Sequence, residues 1–523
     1  MMARVAPLTL LLGGTLLLSA GCQQAGQRYD VVVYGGTAGG VAAAVQVARM
    51  GRSVVLIEPG RYLGGMSAGG LGATDIGNKA AIGGLAREFY RRTGKAYGQA
   101  EAWTFEPHVA EQVFCDLVRE ANVPVVFGER LDLARGVHKR GGRIVEIVAE
   151  SGRAFRGGVF IDATYEGDLM AKAGVRYHVG REDCATYGET LDGVQTQNAV
   201  HHQFEKPVDP YVVAGDPNSG LLPGIDPNGP GREGGGDGRV QAYNFRMCTT
   251  DVAENRQPWP KPADYDPLRY ELLLRNFEAG DERIPWDRVA MPNRKTDTNN
   301  NHAISTDFIG MNYGYPDGDY ATRERIVRAH ESYQKGLLWT LATSPRVPEA
   351  VRREFQTWGL ARDEFVDNDN WPHQIYVREA RRMVGAYVMT QHNCQGEAVA
   401  DDPVGLAAYT MDSHNVQRYV DAERHVRNEG DVQVGGFPPY PISYRAIVPR
   451  REECGNLLVP VCLSASHIAY GSIRMEPVFM VLGQSAGTAA VQAVEGGADV
   501  QDVAYDKLAE RLRAEGQVLE WGP

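Results

Sequence analysis

Apolar and polar positions along the chain mark out a sequence of predicted elements. Asp30 to Tyr34 (DVVVY) is a β-branched run with almost no polar interruption, the pattern of a strand buried on both faces of a parallel sheet. It stops at a glycine-rich turn, Gly35 to Gly40. The small residues Val41 to Ala48 then continue as a helix that Gly51 can end, and Ser53 to Ile57 forms a second apolar strand. Gly83 to Tyr90 and Pro107 to Ala121 carry apolar residues at three- and four-residue spacing and predict helices, and Val123 to Phe127 predicts a strand. A meander follows from Val137, with strands at Arg143 to Val148 and Gly158 to Ile161 around a turn at Ser151-Gly152. Near the end, Gly455 to Val461 reads as a strand and Cys462 to Ile473 as a loop. Arg474-Met475-Glu476-Pro477 then opens a long apolar helix, VFMVLGQSAGTAAVQAV, which Gly496-Gly497 closes. Gly483, Ala486, Gly487 and Ala489 let that helix pack closely on its neighbour.

Between about Cys184 and Ile442 the pattern changes. Pro, Gly, Asn and Asp accumulate, and aromatics cluster around Tyr243-Asn244-Phe245-Arg246. Gly224 to Gly238 is a long polar loop rather than a nucleotide fingerprint, because no strand precedes it. An amphipathic helix is predicted near Arg323 to Thr343, and Val377 to Gln391 (VREARRMVGAYVMTQ) is given a helical face. No internal repeat or low-complexity tail is present.

At 523 residues the chain exceeds the usual size of one core, so two joined domains are expected. A net charge of −12 argues against nucleic acid as a partner and offers no basic patch for anionic membranes. Arg4, the apolar run Leu8 to Leu18 and Ser19-Ala20-Gly21-Cys22 predict a secretory signal (residues 1–21) ending in a lipobox. Lipid on Cys22 would tether the protein to a membrane through residues 22–28, facing the periplasm or cell exterior. The alternative is an ordinary signal with a chance cysteine, since Ser19 stands where an aliphatic residue is usual. Both readings export the chain, and without a twin arginine it is exported unfolded, so any cofactor is loaded outside. None of the six other cysteines forms C-x-x-C, so neither a dithiol redox pair nor a zinc knuckle is expected, and no metal site is proposed.

The turn after the first strand carries phosphate chemistry. Backbone N–H groups and the positive end of the helix dipole converge where a pyrophosphate fits. Glu58 ends the second strand 23 residues after Gly35, where a carboxylate accepts ribose hydroxyls and favours an adenosine with a free 2′-hydroxyl. In G-x-G-x-x-G register the middle position is Thr37, which narrows the approach to pyrophosphate; the competing reading is a packing turn of any doubly wound protein. Gly64 to Gly70 is too glycine-rich for a regular element and is expected to lie against a cofactor. Asp162-Ala163-Thr164 ends a strand and either meets the cofactor or, with Asp168, caps local turns.

Together the GGTAGG turn with Glu58, the LGGMSAGGL loop, IDATYEGDLMA, REARRMVG and SHIAYGSIRMEPVFMVLGQSAGTAA resemble the FAD-dependent oxidoreductase family of glutathione-reductase-type flavoproteins. Relatives often carry the label "xanthan lyase", which these motifs do not support. The resemblance covers nearly the whole mature chain. It implies an α/β fold: a Rossmann-like FAD-binding domain built from both chain ends (29–185 and 441–523) with an inserted α+β substrate domain (186–440). It places Gly35, Gly36, Thr37, Ala38, Gly39 and Gly40 at the pyrophosphate, with Glu58 and the adjoining Pro59 at the adenosine ribose. Gly64, Gly65, Met66 and Ser67 fall on the flavin side, and Asp162, Ala163 and Thr164 make cofactor contacts. Met475, Glu476, Pro477, Val478 and Phe479 then aim a helix N-terminus at the flavin N1/O2 edge. With no histidine in the LGGMSAGGL loop, noncovalent FAD is expected.

For the chemistry itself, His467 is the candidate base, with Tyr470 and Arg474 beside it; the competing role for a lone histidine is structural. Arg378 and Arg382 on one helical face would bind a carboxylate, or, with Arg381, bridge domains through Asp and Glu. His302 with Asn299 to Asn301, and His201 with His202, are candidates for a polar pocket or a plain turn. A single dinucleotide fingerprint argues against NAD(P)H as donor. The expectation is an exported FAD dehydrogenase or oxidase acting on a small polar substrate such as a sugar, polyol or hydroxy acid, with oxygen, a quinone or a carrier protein as acceptor. The alternatives are a carbohydrate lyase or hydrolase on a flavoprotein fold, or a surface binding protein that keeps flavin as a structural element.

Overall fold

The computed structural model describes residues 27–522, so the expected signal, Cys22 and all but the last two residues of the tether lie outside the described residues. Strand β1 (Arg28–Tyr34), helix α1 (Ala38–Arg49) and strand β2 (Val54–Glu58) form a βαβ unit with Val33 opposite Leu56 in parallel register. The sheet is completed by β3 (Val125–Phe127), β4 (Val137–Arg140), β5 (Arg143–Val148) and β6 (Ala154–Asp162), in the order β3-β2-β1-β6-β5-β4. β6 runs parallel to β1, with Val33 opposite Ile161. Its other edge is shared: the N-terminal half pairs antiparallel with β5, and the C-terminal half pairs parallel with Leu457–Leu458 from the far end of the chain. One sheet therefore draws on both chain ends.

The C-terminal helix Glu476–Gly496 locks this arrangement by lying against α1, backbone on backbone around Gly39 and Gly483. A Cβ on Gly39 would fall 2.8 Å from the Phe479 carbonyl oxygen, and one on Gly483 would collide with the Gly39 carbonyl oxygen. Backbones approach this closely only through glycine. The helix is long and apolar enough to span a membrane, yet 89% of its most apolar window is buried inside the protein.

The inserted region has its own five-stranded antiparallel sheet, ordered Trp286–Met291, Lys295–Asn300, Met247–Thr250, Gly359–Ala361 and Arg256–Gln257, together with the 24-residue helix Tyr320–Thr343. The fold is thus α/β, with a Rossmann-like domain built from both chain ends and an α+β insertion.

Several local expectations are corrected. Val377 to Gln391 is not a helix: Arg381–Met383 pairs antiparallel with Tyr177–Val179, and only Gln391 enters a helical turn. The arginines here each reach a carboxylate on a different element, which extended backbone permits and one helical face does not. Cys462 to Ile473 is not all loop, because His467–Ile473 is a helix whose Ser466 Oγ accepts the Ala469 N–H at 3.3 Å; its serines and glycine masked an N-cap. Gly65–Ala68 makes one helical turn, α2, and the strand expected over Gly455 to Val461 shortens to Leu457–Leu458. Pro403–Ala407, paired with Tyr440–Ser443, packs at Gly405 against Val481 of the C-terminal helix, so contact with the first domain resumes before residue 441. The six cysteines among the described residues are free thiols, four of them buried.

Candidate active site

The cofactor cleft opens where β1 stops. Gly35 has φ +104°, and a Cβ there would sit 2.8 Å from the Ala163 carbonyl carbon, so only glycine lets the ends of β1 and β6 meet. Glu58 Oε2 accepts the Gly36 N–H at 2.6 Å and Oε1 accepts the Gly60 N–H at 2.5 Å, which fixes the carboxylate at the end of β2. Burial, opposed by those two bonds, lifts its pKa to about 7. Thr37 now has a reason: its hydroxyl donates to the Ala163 carbonyl at 2.7 Å and accepts the Gly40 N–H at 3.2 Å, so it caps α1 and ties the turn to β6. The Gly64 N–H donates to Gly36 at 2.8 Å and docks the second glycine loop on the first.

A cavity of about 490 Å³ lies here. Gly35, Thr37, Glu58, Pro59, Gly65 and Thr164 of the expected set line it, joined by Tyr62, whose ring stacks on His373 at 3.7 Å. Burial lowers the His373 pKa to about 4, leaving a neutral ring on the wall. Gly36, Ala38, Gly39 and Gly40 lie immediately behind, at the buried start of α1, where the first-turn N–H groups have no intrahelical partners. An oriented acid at a strand end, a helix N-terminus and a flat-walled cavity fit the adenosine and pyrophosphate of a dinucleotide. Asp162 serves its own turn instead: it accepts from Thr164 Oγ1 at 2.7 Å and from the Met170 N–H at 2.8 Å, with Ala163 buried beside it.

At the inner end of the cleft, Tyr165 separates the cavity from the start of the C-terminal helix. Its hydroxyl meets Glu476 Oε1 at 2.7 Å and accepts the Met66 N–H at 2.8 Å, while Glu476 Oε2 accepts from Ser67 Oγ at 3.2 Å. Met66, Ser67 and Glu476 thus form one hydrogen-bonded group, and burial raises the Glu476 pKa to about 7. Met475, Pro477, Val478 and Phe479 are buried in the core behind it and do not line the cavity.

The three candidate catalytic residues separate. His467 is 2% exposed, with Nδ1 2.7 Å from Glu379 Oε2 and Nε2 2.9 Å from Ser413 Oγ, so both ring nitrogens are engaged and neither faces the cavity. Tyr470 donates to the Val461 carbonyl at 3.1 Å and is buried. Arg474 alone enters a second polar region. Its Nη1 donates to the Tyr376 hydroxyl at 2.9 Å and its Nη2 to Asp412 Oδ2 at 3.0 Å.

That region is a buried charge cluster with few signals in the sequence. Arg246 grips Asp297 with two bonds of 2.9 Å. His414 Nδ1 lies 2.8 Å from Asp307 Oδ2, and its Nε2 lies 3.6 Å from Asp412 Oδ2; these carboxylates outweigh burial and raise its pKa. Half-buried Asp75, at the end of the second glycine loop, faces the cluster with no hydrogen bond or ion pair among the described residues. Burial raises its pKa, against the pull of Arg246 and Arg474. One segment joins the two regions: His373, Gln374 and Ile375 line the cleft, while Tyr376 and Arg378 stand in the cluster.

Arg378, Arg381 and Arg382 pair with carboxylates of other elements. Arg381 and Arg323 share Asp168, with Nη1 atoms at 2.7 and 2.6 Å, and Arg382 Nη1 meets Glu182 at 2.7 Å. Arg378 Nη1 lies 3.0 Å from Asp307. Asn299 and Asn300 belong to a strand, and His302 donates its N–H to His202 Nδ1 at 3.0 Å near the cluster's edge. His201 is exposed.

Among curated proteins nothing matches the chain. The family described as FAD dependent oxidoreductase matches residues 30–512. Solved structures similar to it include L-proline dehydrogenase from P. horikoshii, at 15% identity over 30% of this chain and 58% of that one, with a TM-score of 0.24. L-amino acid deaminase from Proteus vulgaris aligns at 16% identity over 30% of this chain and 52% of that one, with a TM-score of 0.23. The chain thus spans little more than half the length of these two proteins.

Proposed function

The chain belongs to the FAD-dependent oxidoreductase family, and from that premise we propose that it is an exported dehydrogenase or oxidase of a small polar substrate bearing a hydroxyl group. The observation that carries this reading is the buried charge cluster, because Asp75 closes the loop that begins at the cofactor cleft and Arg474 lies just before the helix that starts beside that cleft. FAD, held noncovalently, would supply the hydride acceptor at its N5. Glu58 would bind the ribose, and the start of α1 the pyrophosphate.

The chain's own residues then provide the proton chemistry. Asp75, without a hydrogen-bond partner among the described residues, takes the hydroxyl proton as the substrate C–H bond yields its hydride and C=O forms. Arg474 holds Asp412 and orients the substrate side of the pocket. His467 acts one step removed, bridging Glu379 and Ser413 and so fixing the Asp412–His414 segment. The signal pattern with Cys22 supports a lipid-tethered protein outside the cytosol, and the single fingerprint supports oxygen, a quinone or a carrier protein as acceptor rather than a nicotinamide partner. Anaerobic titration of the purified holoprotein tests the reading: a hydroxylated donor should bleach the flavin, and bleaching by NADH alone would refute it.

A further inference from the structure

The three arginines of REARR differ in one respect that the sequence hides. Arg381 and Arg382 spend most of their donors on carboxylates and carbonyls, Arg382 leaving only Nε unpaired, whereas Arg378 leaves two of its three nitrogens unused. Its Nη1 reaches the Ala242 carbonyl and lies 3.0 Å from Asp307, but Nε and Nη2 have no partner in a side chain only 1% exposed. Arg474, 3% exposed, likewise leaves Nε unpaired. Both guanidinium groups lie near the Tyr376 ring, their central carbons 4.8 and 5.6 Å from its centroid.

Buried N–H donors of a charged group are seldom left without an acceptor, since the lost hydration is then not replaced. Two guanidinium groups sharing one ring also repel each other unless an anion stands between or beside them. Asp307 beside Arg378 and Asp412 beside Arg474 offset that repulsion, yet both are shared with His414 and neither accepts from Arg378 Nε or Nη2 or from Arg474 Nε. Asp75 feels the charge of Arg474 but makes no hydrogen bond or ion pair with either arginine among the described residues.

We infer that Arg378 and Arg474, set against Tyr376, form a carboxylate-binding subsite, so that the substrate is a small hydroxy acid rather than a neutral sugar or polyol. This rests on the proposed oxidation at the charge cluster and narrows its substrate class. A planar carboxylate offers two oxygens to the free Nε and Nη2 of Arg378, a pairing that only a guanidinium provides. Arg474, the other guanidinium against the Tyr376 ring, is among the charges that act on Asp75, which ties this subsite to the proposed proton acceptor.

The test uses the holoprotein and the probes oxalate, glycolate and ethylene glycol, reading perturbation of the flavin visible spectrum and the melting temperature. Oxalate and glycolate should shift both, and ethylene glycol neither. Arg378→Met should weaken oxalate binding by about 10- to 100-fold, the loss expected for charge-assisted bonds, and Arg378→Lys should recover part of it. Flavin content and melting temperature in the absence of probe establish that each variant is folded, and Tyr376→Phe gives a milder second perturbation. Equal binding of oxalate by wild type and folded Arg378→Met would overturn the subsite. Reduction by neutral polyols but not hydroxy acids would overturn it while leaving the oxidase reading intact. Oxalate binding that depends on Arg378, without reduction by any hydroxylated donor, would support the subsite and sink the oxidase reading.

Discussion

The cofactor cleft and the charge cluster are neighbours built on opposite principles. The cleft is made by backbone: Gly35, Gly36, Thr37 and the start of α1 are contiguous, and Glu58 is held by two main-chain N–H groups. The cluster is made by side chains gathered from Asp75, Arg246, Asp297, Asp307, Arg378, Asp412, His414 and Arg474. A backbone site depends on local conformation and suits a cofactor of fixed shape. A side-chain site depends on tertiary packing and on balanced charge, and can be retuned for a new substrate without disturbing the first.

If the two sites are separable, they should fail separately, except where they share a foundation. Gly483→Val strikes that foundation, because the new side chain collides with the Gly39 backbone; a loss of at least about 3 kcal/mol is expected, with neither folded protein nor flavin recovered on purification. Asp75→Asn should break only the cluster, lowering the rate of substrate-driven flavin reduction by about 10²- to 10⁴-fold with unchanged flavin content. A normal reduction rate in this variant would move the proton acceptor elsewhere, with His414 the next group to replace.

Glu58→Gln should break only the cleft, weakening FAD about 10- to 100-fold as measured by fluorescence titration of the apoprotein, while oxalate binding survives once FAD is saturating. The smallest effect is a matter of pH. Glu58 titrates at about 7 in the free cleft, and ribose hydroxyls donate to its ionised form. Binding FAD therefore expels a proton below that pH. Affinity should fall as pH drops from 8 to 6, by up to about tenfold per unit below the pKa, and Glu58→Gln should flatten the dependence.

The same contrast explains what the sequence revealed. β1, α1, β2 and the C-terminal helix follow from periodicity, glycine placement and the Pro477/Gly497 boundaries, all local signals. Thr37, a weakness in the fingerprint by spacing alone, caps α1 through the local Gly40 N–H, while the bond that ties it to β6 goes to Ala163, 126 residues away and outside any local pattern. Arg378 to Arg382 mimic a helical face, yet their conformation is decided by Asp307, Asp168 and Glu182 on other elements. His467 stood out as a lone histidine in a serine-rich stretch, while its two partners, Glu379 and Ser413, are invisible to spacing. Asp75 lay at the edge of the glycine loop without a motif of its own; only its lack of a partner in a crowded charge cluster singles it out.

The most direct measurement is the visible spectrum of the purified holoprotein under anaerobic titration, first with glycolate and related hydroxy acids, then with neutral polyols, then with NADH. The account predicts an oxidised flavin spectrum that hydroxy acids bleach stoichiometrically and NADH does not. A flavin reduced by NADH and by no hydroxylated donor would contradict it.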